Sequence, residues 1–388
     1  MHVVVVGGGI VGVASAYYLA ERGVDVTLFE RHSLGSGSTD RAVGGIRAQF
    51  STPVNVRLSV ASARVWDEFE ARFGTDIERR RTGYLFCTRD DATADALTEQ
   101  VRLQNDHGVP SELLSPREAS EHCRGLRTQE FTRASYSAED SFADPHLALQ
   151  GFADAAREAG VTIHTGTAVR DVHGIERHAH SDAAHLTIET DDGSVDAEYV
   201  VNAAGAWAPQ LAAMAGYSLP IEPHRRQIAV VEPETPVPED DPLTIDLDTT
   251  AHFRPERDGR ALVGGHFSKE APVVDPDHFS ETPDLDWTAD AIERVGEVAD
   301  YFGTETRVAS GWCGLYAVTP DHHPIIEESL PGVVTAAGFS GHGFQHAPAT
   351  GQIVTELVCD GGASLVDVSG LGRERFETGE TITERNVA

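Results

Sequence analysis

His2-Val3-Val4-Val5-Val6-Gly7-Gly8-Gly9-Ile10-Val11-Gly12 opens the chain, and this stretch decides its fold. An unbroken β-branched run has the pattern of a strand buried on both faces. It leads directly into glycines. A helical pattern follows through Tyr17, Tyr18 and Leu19 and ends near Gly23, and a second strand runs from Val26 to Phe29, closed by Glu30. The order strand, glycines, helix, strand, terminal acid is the βαβ unit that binds a dinucleotide. Gly7 permits the tight turn, Gly9 lets a pyrophosphate approach the backbone, and Gly12 lets helix and strand pack closely. The first helical turn, with Ile10 and Val11, offers its amides and partial positive charge to the phosphates. Glu30 can accept hydrogen bonds from the ribose hydroxyls and would repel a 2′-phosphate, which disfavours NADP.

The unit alone does not separate FAD from NAD. After Glu30 and Arg31 the chain enters Leu34-Gly35-Ser36-Gly37-Ser38-Thr39-Asp40-Arg41-Ala42-Val43-Gly44-Gly45-Ile46-Arg47, a loop dense in glycine and hydroxyls. An NAD domain would usually proceed to its next helix there. Such a loop, through Ser38, Thr39 and the backbone of Gly44, Gly45 and Ile46, can cradle the pyrophosphate and ribityl chain of extended FAD. A solvated turn is the plain alternative.

The chain has 388 residues, 40% of them hydrophobic, enough for about two domains with a sizeable core. No stretch approaches the ~20 apolar residues of a membrane span, and no leader precedes the first strand, so a cytoplasmic location is expected. Cys87, Cys123, Cys313 and Cys359 lie far apart without CxxC spacing, so free thiols are expected and a zinc site is not. A formal net charge of −32 speaks against nucleic-acid and anionic-membrane partners. Lys269 is the only lysine, and this bias resembles the acidic proteomes of salt-in halophiles. At molar salt the Debye length falls to about 3 Å, which screens carboxylate self-repulsion. His178, His180 and His185 lack partners at ligand spacing, so no metal site is expected. His322 and His323 follow Pro320-Asp321 as turn residues.

Four segments taken together carry a resemblance: the N-terminal motif, Gly44-Gly45-Ile46-Arg47-Ala48-Gln49-Phe50-Ser51, Asn202-Ala203-Ala204-Gly205-Ala206-Trp207, and Gly338-Phe339-Ser340-Gly341-His342-Gly343-Phe344. The chain resembles the D-amino-acid oxidase family of FAD-dependent oxidoreductases, in the branch of sarcosine and glycine oxidases and dimethylglycine and proline dehydrogenases. The resemblance implies an α/β architecture: a Rossmann-like, glutathione-reductase-type FAD domain from residues 1–80, 145–220 and 308–388, and a mixed-sheet substrate domain from 81–144 and 221–307. Strand-like Val161 to His164 and Tyr199 to Val201 and helical Pro145 to Ala159 fit the first. Gln227 to Val231, His252 to Pro255 and Ala261 to Gly264 fit the second. The Gly- and charge-rich tail beyond Gly361 is expected to be partly mobile.

By the same resemblance Arg47 binds a substrate carboxylate, Tyr316 lies over the isoalloxazine ring and orients the amine or carboxylate, and His342 contacts the flavin rather than acting as a base. Val169, Ala204, Gly205, Trp207, Gly314, Gly341, Gly343, Phe344 and Gln345 complete the expected cofactor contacts. The implied reaction is oxidation of a small amine or amino acid (sarcosine, N-methylated glycine, proline or a D-amino acid). Hydride passes to flavin N5 and the imine is hydrolysed. Two departures qualify this. Gly314 stands where sarcosine oxidase attaches FAD to cysteine, with Cys313 one position earlier, so non-covalent FAD is expected. The oxygen-activating lysine is absent near Leu262-Val263-Gly264, with Lys269 beyond it, so O2, a quinone or an electron-transfer protein remain as acceptors. The alternatives are a 2-hydroxy-acid or glycerol-phosphate dehydrogenase, a non-catalytic assembly subunit, and an NAD dehydrogenase; a homo- or hetero-oligomer is compatible with each.

Overall fold

In the computed structural model residues 1–177, 184–267 and 273–387 are described. The strand His2–Val6 stands inside a six-stranded sheet ordered Ile325–Leu330, Val333–Ala337, Tyr199–Asn202, His2–Val6, Asp25–Glu30, Thr162–Thr165. All neighbours are parallel except the first pair. Val3, Val4 and Val5 are fully buried, which is why the strand is apolar on both faces. The helix Ile10–Glu21 is buried along nearly its whole length, because it packs against the helices Pro145–Glu158 and Gly343–Asp360.

An eight-stranded mixed sheet forms the roof, in the order Arg307–Val318, Glu222–Glu232, Ala261–Gly264, His252–Pro255, Leu243–Asp246, Tyr84–Thr88, Arg133–Ser137, Glu112–Leu114. Only Leu243–Asp246 and Tyr84–Thr88 pair in parallel. The strand Arg307–Val318 pairs along its length with Glu222–Glu232, so residues 308–318 lie in the roof rather than with the nucleotide sheet. Smaller sheets are Val169–Arg177, Ala184–Thr190 and Gly193–Ala197, and the pair Gly45–Ile46 with Ser141–Phe142.

The expectation of a partly mobile tail is corrected. Val366, Val368 and Leu371 are buried against the core, and Arg375 forms a buried ion pair of 2.7 Å with Asp321. Farther on, Glu384 and Asn386 are buried as well. Apolar burial at Val366, Val368 and Leu371 and polar burial farther on hold this segment, and composition does not reveal it.

The loop after Glu30 is fixed from across the molecule. Gly44 has a left-handed φ of +77°, and a Cβ there would stand 1.8 Å from the Ala143 carbonyl oxygen. Asp140 accepts the Ala48 amide at 2.8 Å and the Gln49 side-chain amide at 3.0 Å. Burial raises the Asp140 carboxyl from 3.8 to about 7, against the pull of the Gln49 and Ala48 donors and the Arg47 charge. The folded chain therefore binds this proton more tightly than the unfolded chain. The stability it contributes is complete below about pH 4 and is lost as pH rises toward about 7. Replacing Asp140→Asn removes the titration. Relative to the variant, the parent should lose stability across that window, by no more than about 4 kcal/mol for a shift of this size. Denaturant unfolding of both chains at pH 5 and pH 8 checks this, and parallel pH curves would refute it.

Candidate active site

One cavity of about 590 Å³ runs from the carboxyl end of His2–Val6 to the underside of the roof. At the first end Gly7 has φ +114°, and a Cβ on Gly12 would stand 2.0 Å from the Gly7 carbonyl oxygen. Both glycines serve backbone packing. Gly9 differs: an added Cβ would meet only the Thr39 hydroxyl, at 3.3 Å, so the protein itself barely requires a glycine there. The glycine instead keeps the cavity open at a helix N-terminus, as a phosphate needs. Thr39 accepts the Ile10 amide at 3.1 Å, and Ser38 donates to the Leu315 carbonyl at 2.7 Å, tying the loop to the roof. The Glu30 carboxylate is aimed by the Gly8 and His32 amides, at 2.7 and 2.8 Å. Arg31 stacks 4.1 Å over the Trp207 ring and pairs with Asp277 at 2.7 Å, while the Trp207 indole donates to the same carboxylate. Val169, Ala204 and Gly205 line the wall beside them. Gly12 and Ile46 alone among the expected cofactor contacts do not line the cavity; Ile46 turns its side chain into the core.

At the far end Gly341, φ +94°, passes so close to Tyr316 that a Cβ would lie 2.4 Å from its ring. The helix Gly343–Asp360 starts there, so the N-terminal end of its dipole points into the cavity at His342, Gly343 and Phe344. That placement favours negative charge at this end of the cavity. Gln345 accepts the Arg47 amide at 2.8 Å. His342 is buried, and desolvation, reinforced by Arg47, drives its imidazole well below the ordinary range. Its Nε2 takes a hydrogen bond from Arg47 at 3.2 Å, so it stays neutral and its lone pair is used. Gly314 lines the cavity, whereas the Cys313 thiol faces Gln227 on the opposite side of the strand, and the Cys313 side chain is buried.

Arg47 is buried, but its guanidinium is already engaged. It donates to the Gln49 carbonyl at 2.5 Å, to the Asn386 carbonyl and to His342, and lies 4.0 Å over the Phe50 ring. The fork expected to clasp a substrate carboxylate is committed to the protein. Arg226 offers what Arg47 does not. On the strand Glu222–Glu232 it faces Gly314, the residue without a side chain, and lies 5.3 Å over the Tyr316 ring. Its Nε is buried without a hydrogen-bond partner, and among the described residues no carboxylate pairs with it. Its neighbour Arg225, on the other face, pairs with Asp284 at 2.7 Å. Burial lowers the Arg226 guanidinium within a range where it remains a cation. Ile228, Leu243 and Ile245 give the chamber an apolar side.

Sequence reading missed Arg226. Its signal was present in strand phase, because Arg226 alternates with Ile228 on the face turned to the cavity. His178, His180 and Lys269 lie outside the described residues; His185 is exposed, and no metal-binding cluster occurs among the described residues. His323 is buried, hydrogen-bonded to Thr52 at 2.9 Å, and is more than a turn residue. All four cysteines are free. Among the described residues no helix is long and apolar enough to cross a membrane.

Comparison with known proteins agrees with this fold. L-proline dehydrogenase from P. horikoshii superimposes with a TM-score of 0.87 at 34% identity, covering 97% of this chain and 98% of that one. Glycine oxidase from Geobacillus kaustophilus gives 0.81 at 25% identity, covering 96% and 98%. FAD-dependent oxidoreductase domain-containing protein 1 of Xenopus laevis is 30% identical over 433 aligned positions, covering 99% of this chain and 84% of that protein. The family model described as FAD dependent oxidoreductase, DAO, matches residues 2–357, and the chain belongs to that family of FAD-dependent enzymes.

Proposed function

We propose that the protein oxidises the carbon–nitrogen bond of a small amino acid carrying an apolar or cyclic side chain, proline being the leading example. The observation that carries this reading is Arg226, a buried guanidinium without a carboxylate partner beside Tyr316 in the cavity roof. A carboxylate suits it, because a planar fork binds two oxygens at once. With the carboxylate there, Tyr316 orients the amine and the substrate side chain rests against Ile228, Leu243 and Ile245. FAD held along the glycine cradle supplies the two-electron acceptor. His342 does not take a proton, since its lone pair is used by Arg47, so the amine must arrive neutral and reactivity rests on positioning. The likeness to L-proline dehydrogenase at 34% identity supports this substrate class. Attachment of FAD is non-covalent in this reading, because no thiol occupies position 314.

The test is anaerobic bleaching of the bound flavin with L-proline, sarcosine, dimethylglycine, glycine and D-amino acids. L-Proline should bleach it fastest, and readmitting air then separates oxidase from dehydrogenase. A yellow protein reduced only by 2-hydroxy acids would overturn the reading. Acid precipitation should release all the flavin into the supernatant; yellow colour retained in the pellet would contradict non-covalent binding.

Arg226→Met should weaken amino-acid binding roughly 10- to 100-fold, the worth of a charge-assisted pair. The effect should fall on the concentration dependence of flavin reduction and leave an amine without a carboxylate unaffected. Equal losses for both substrates would remove Arg226 from this role.

A further inference from the structure

The carboxyl-terminal tail has no regular secondary structure from Glu380 to Val387, and Glu380 to Thr383 and Arg385 are exposed. Yet Glu384 is 0% and Asn386 2% exposed. Two alternate polar side chains are therefore inserted from an otherwise solvated strap, without an apolar anchor of comparable burial. Burying polar groups is costly unless each is satisfied, and here each is. Glu384 accepts from the Ser51 amide and hydroxyl at 2.8 and 2.6 Å, from Thr52 at 2.7 Å, and from the Asn55 side chain at 3.1 Å. It sits at the start of the helix Pro53–Asp67, where negative charge is stabilised. The Asn386 side-chain amide donates to the Gln49 carbonyl at 3.1 Å and to Gln100 at 3.0 Å. Gln100 belongs to the helix Asp91–Asp106. The Asn386 carbonyl takes a hydrogen bond from Arg47. The strap thus joins three separate elements at the guanidinium in the cavity wall.

We propose that Glu384 and Asn386 are positioning residues of the active site, whose seating holds Arg47 against His342 at the flavin end of the cavity. The proposal rests on the reading that FAD occupies this cavity. The family model ends at residue 357, so the strap lies beyond the matched segment. With the strap seated, Arg47 keeps a positive charge in a fixed, poorly solvated place, where it favours electrons added beside it. Without the strap, the guanidinium loses its Asn386 acceptor and gains access to water. A charge that is solvated and mobile stabilises added electrons less.

The experiment is a chain ending at Thr383, compared with the full chain for flavin content, midpoint potential of the bound flavin, and anaerobic reduction by L-proline. The truncated chain should retain FAD, show a more negative midpoint potential, and lose about tenfold or more in limiting reduction rate, with the substrate dissociation constant little changed. A truncated, FAD-loaded chain with the parental potential and limiting rate would overturn the proposal. Should truncation abolish FAD binding, Asn386→Ala takes its place. Because the Arg47 contact is to the Asn386 backbone carbonyl, Glu384→Ala is combined with it, so that every side-chain contact seating the strap is removed, and an unchanged potential in that FAD-loaded double variant is equally decisive against the proposal. If L-proline reduces neither chain, the substrate reading has failed on its own. The potential still decides the role of the strap.

Discussion

The Gly7 carbonyl oxygen lies 2.0 Å from where a Cβ on Gly12 would stand, and the Ala203 carbonyl oxygen lies 2.4 Å from a Cβ on Gly7. Three backbone segments therefore meet at one point where no side chain fits. That crossing fixes the helix Ile10–Glu21 against the central strand and brings the end of Tyr199–Asn202 beside them. The helix N-terminus is thereby aimed into the cavity, at the crevice outside the strand ends where open parallel sheets bind ligands. The roof can cover this crevice because the loop after Glu30 is tied to it, through Ser38 to Leu315 and through the indole of Trp312 to the Arg41 carbonyl at 2.9 Å.

What was legible in the sequence follows from how local its causes are. The βαβ unit was read to within a residue or two because strand periodicity, glycine geometry and the closing acid all act within thirty or so positions. The roof strands His252–Pro255 and Ala261–Gly264 were placed correctly for the same reason. Residues 308–318 were given to the FAD domain, whereas the strand Arg307–Val318 pairs with Glu222–Glu232 in the roof. Its residues suit either layer, and only pairing with Glu222–Glu232, distant in sequence, decides between them. The tail was misjudged on composition. Charged and glycine-rich segments are usually solvated, but Arg375, Glu384 and Asn386 find partners more than forty residues away in sequence, and no local pattern marks this.

The two arginines show the same limit at the level of chemistry. Arg47 stood in a motif and invited a substrate role, yet its guanidinium is absorbed by two carbonyls, an imidazole and an aromatic face. Arg226 stood in no motif, beside a second arginine that is salt-bridged. A sequence cannot tell which of two adjacent arginines meets a carboxylate. Strand phase says which face each takes, and only the fold says that one face meets Asp284 and the other an open chamber.

Charge balance sets the chamber apart from the surface. The chain carries 62 acidic residues against 30 arginines and lysines, so an isolated cation near the surface would readily find a carboxylate. Arg226 has none among the described residues, while Arg47 has the carboxyl groups of Glu384 and Asp140 near enough to act on its charge. Keeping Arg226 without an ion-pair partner inside so acidic a molecule sets a small positive site within a negative shell. Salt screens the shell over a Debye length of about 10 Å or less at 0.1 M and above, whereas buried charges are screened far less. A free amino acid is mainly a net-neutral zwitterion near pH 7 and meets little net repulsion from that shell, while the carboxylate contact proposed at Arg226 lies where salt screens least. The acidic surface and the cationic roof thus act on different length scales.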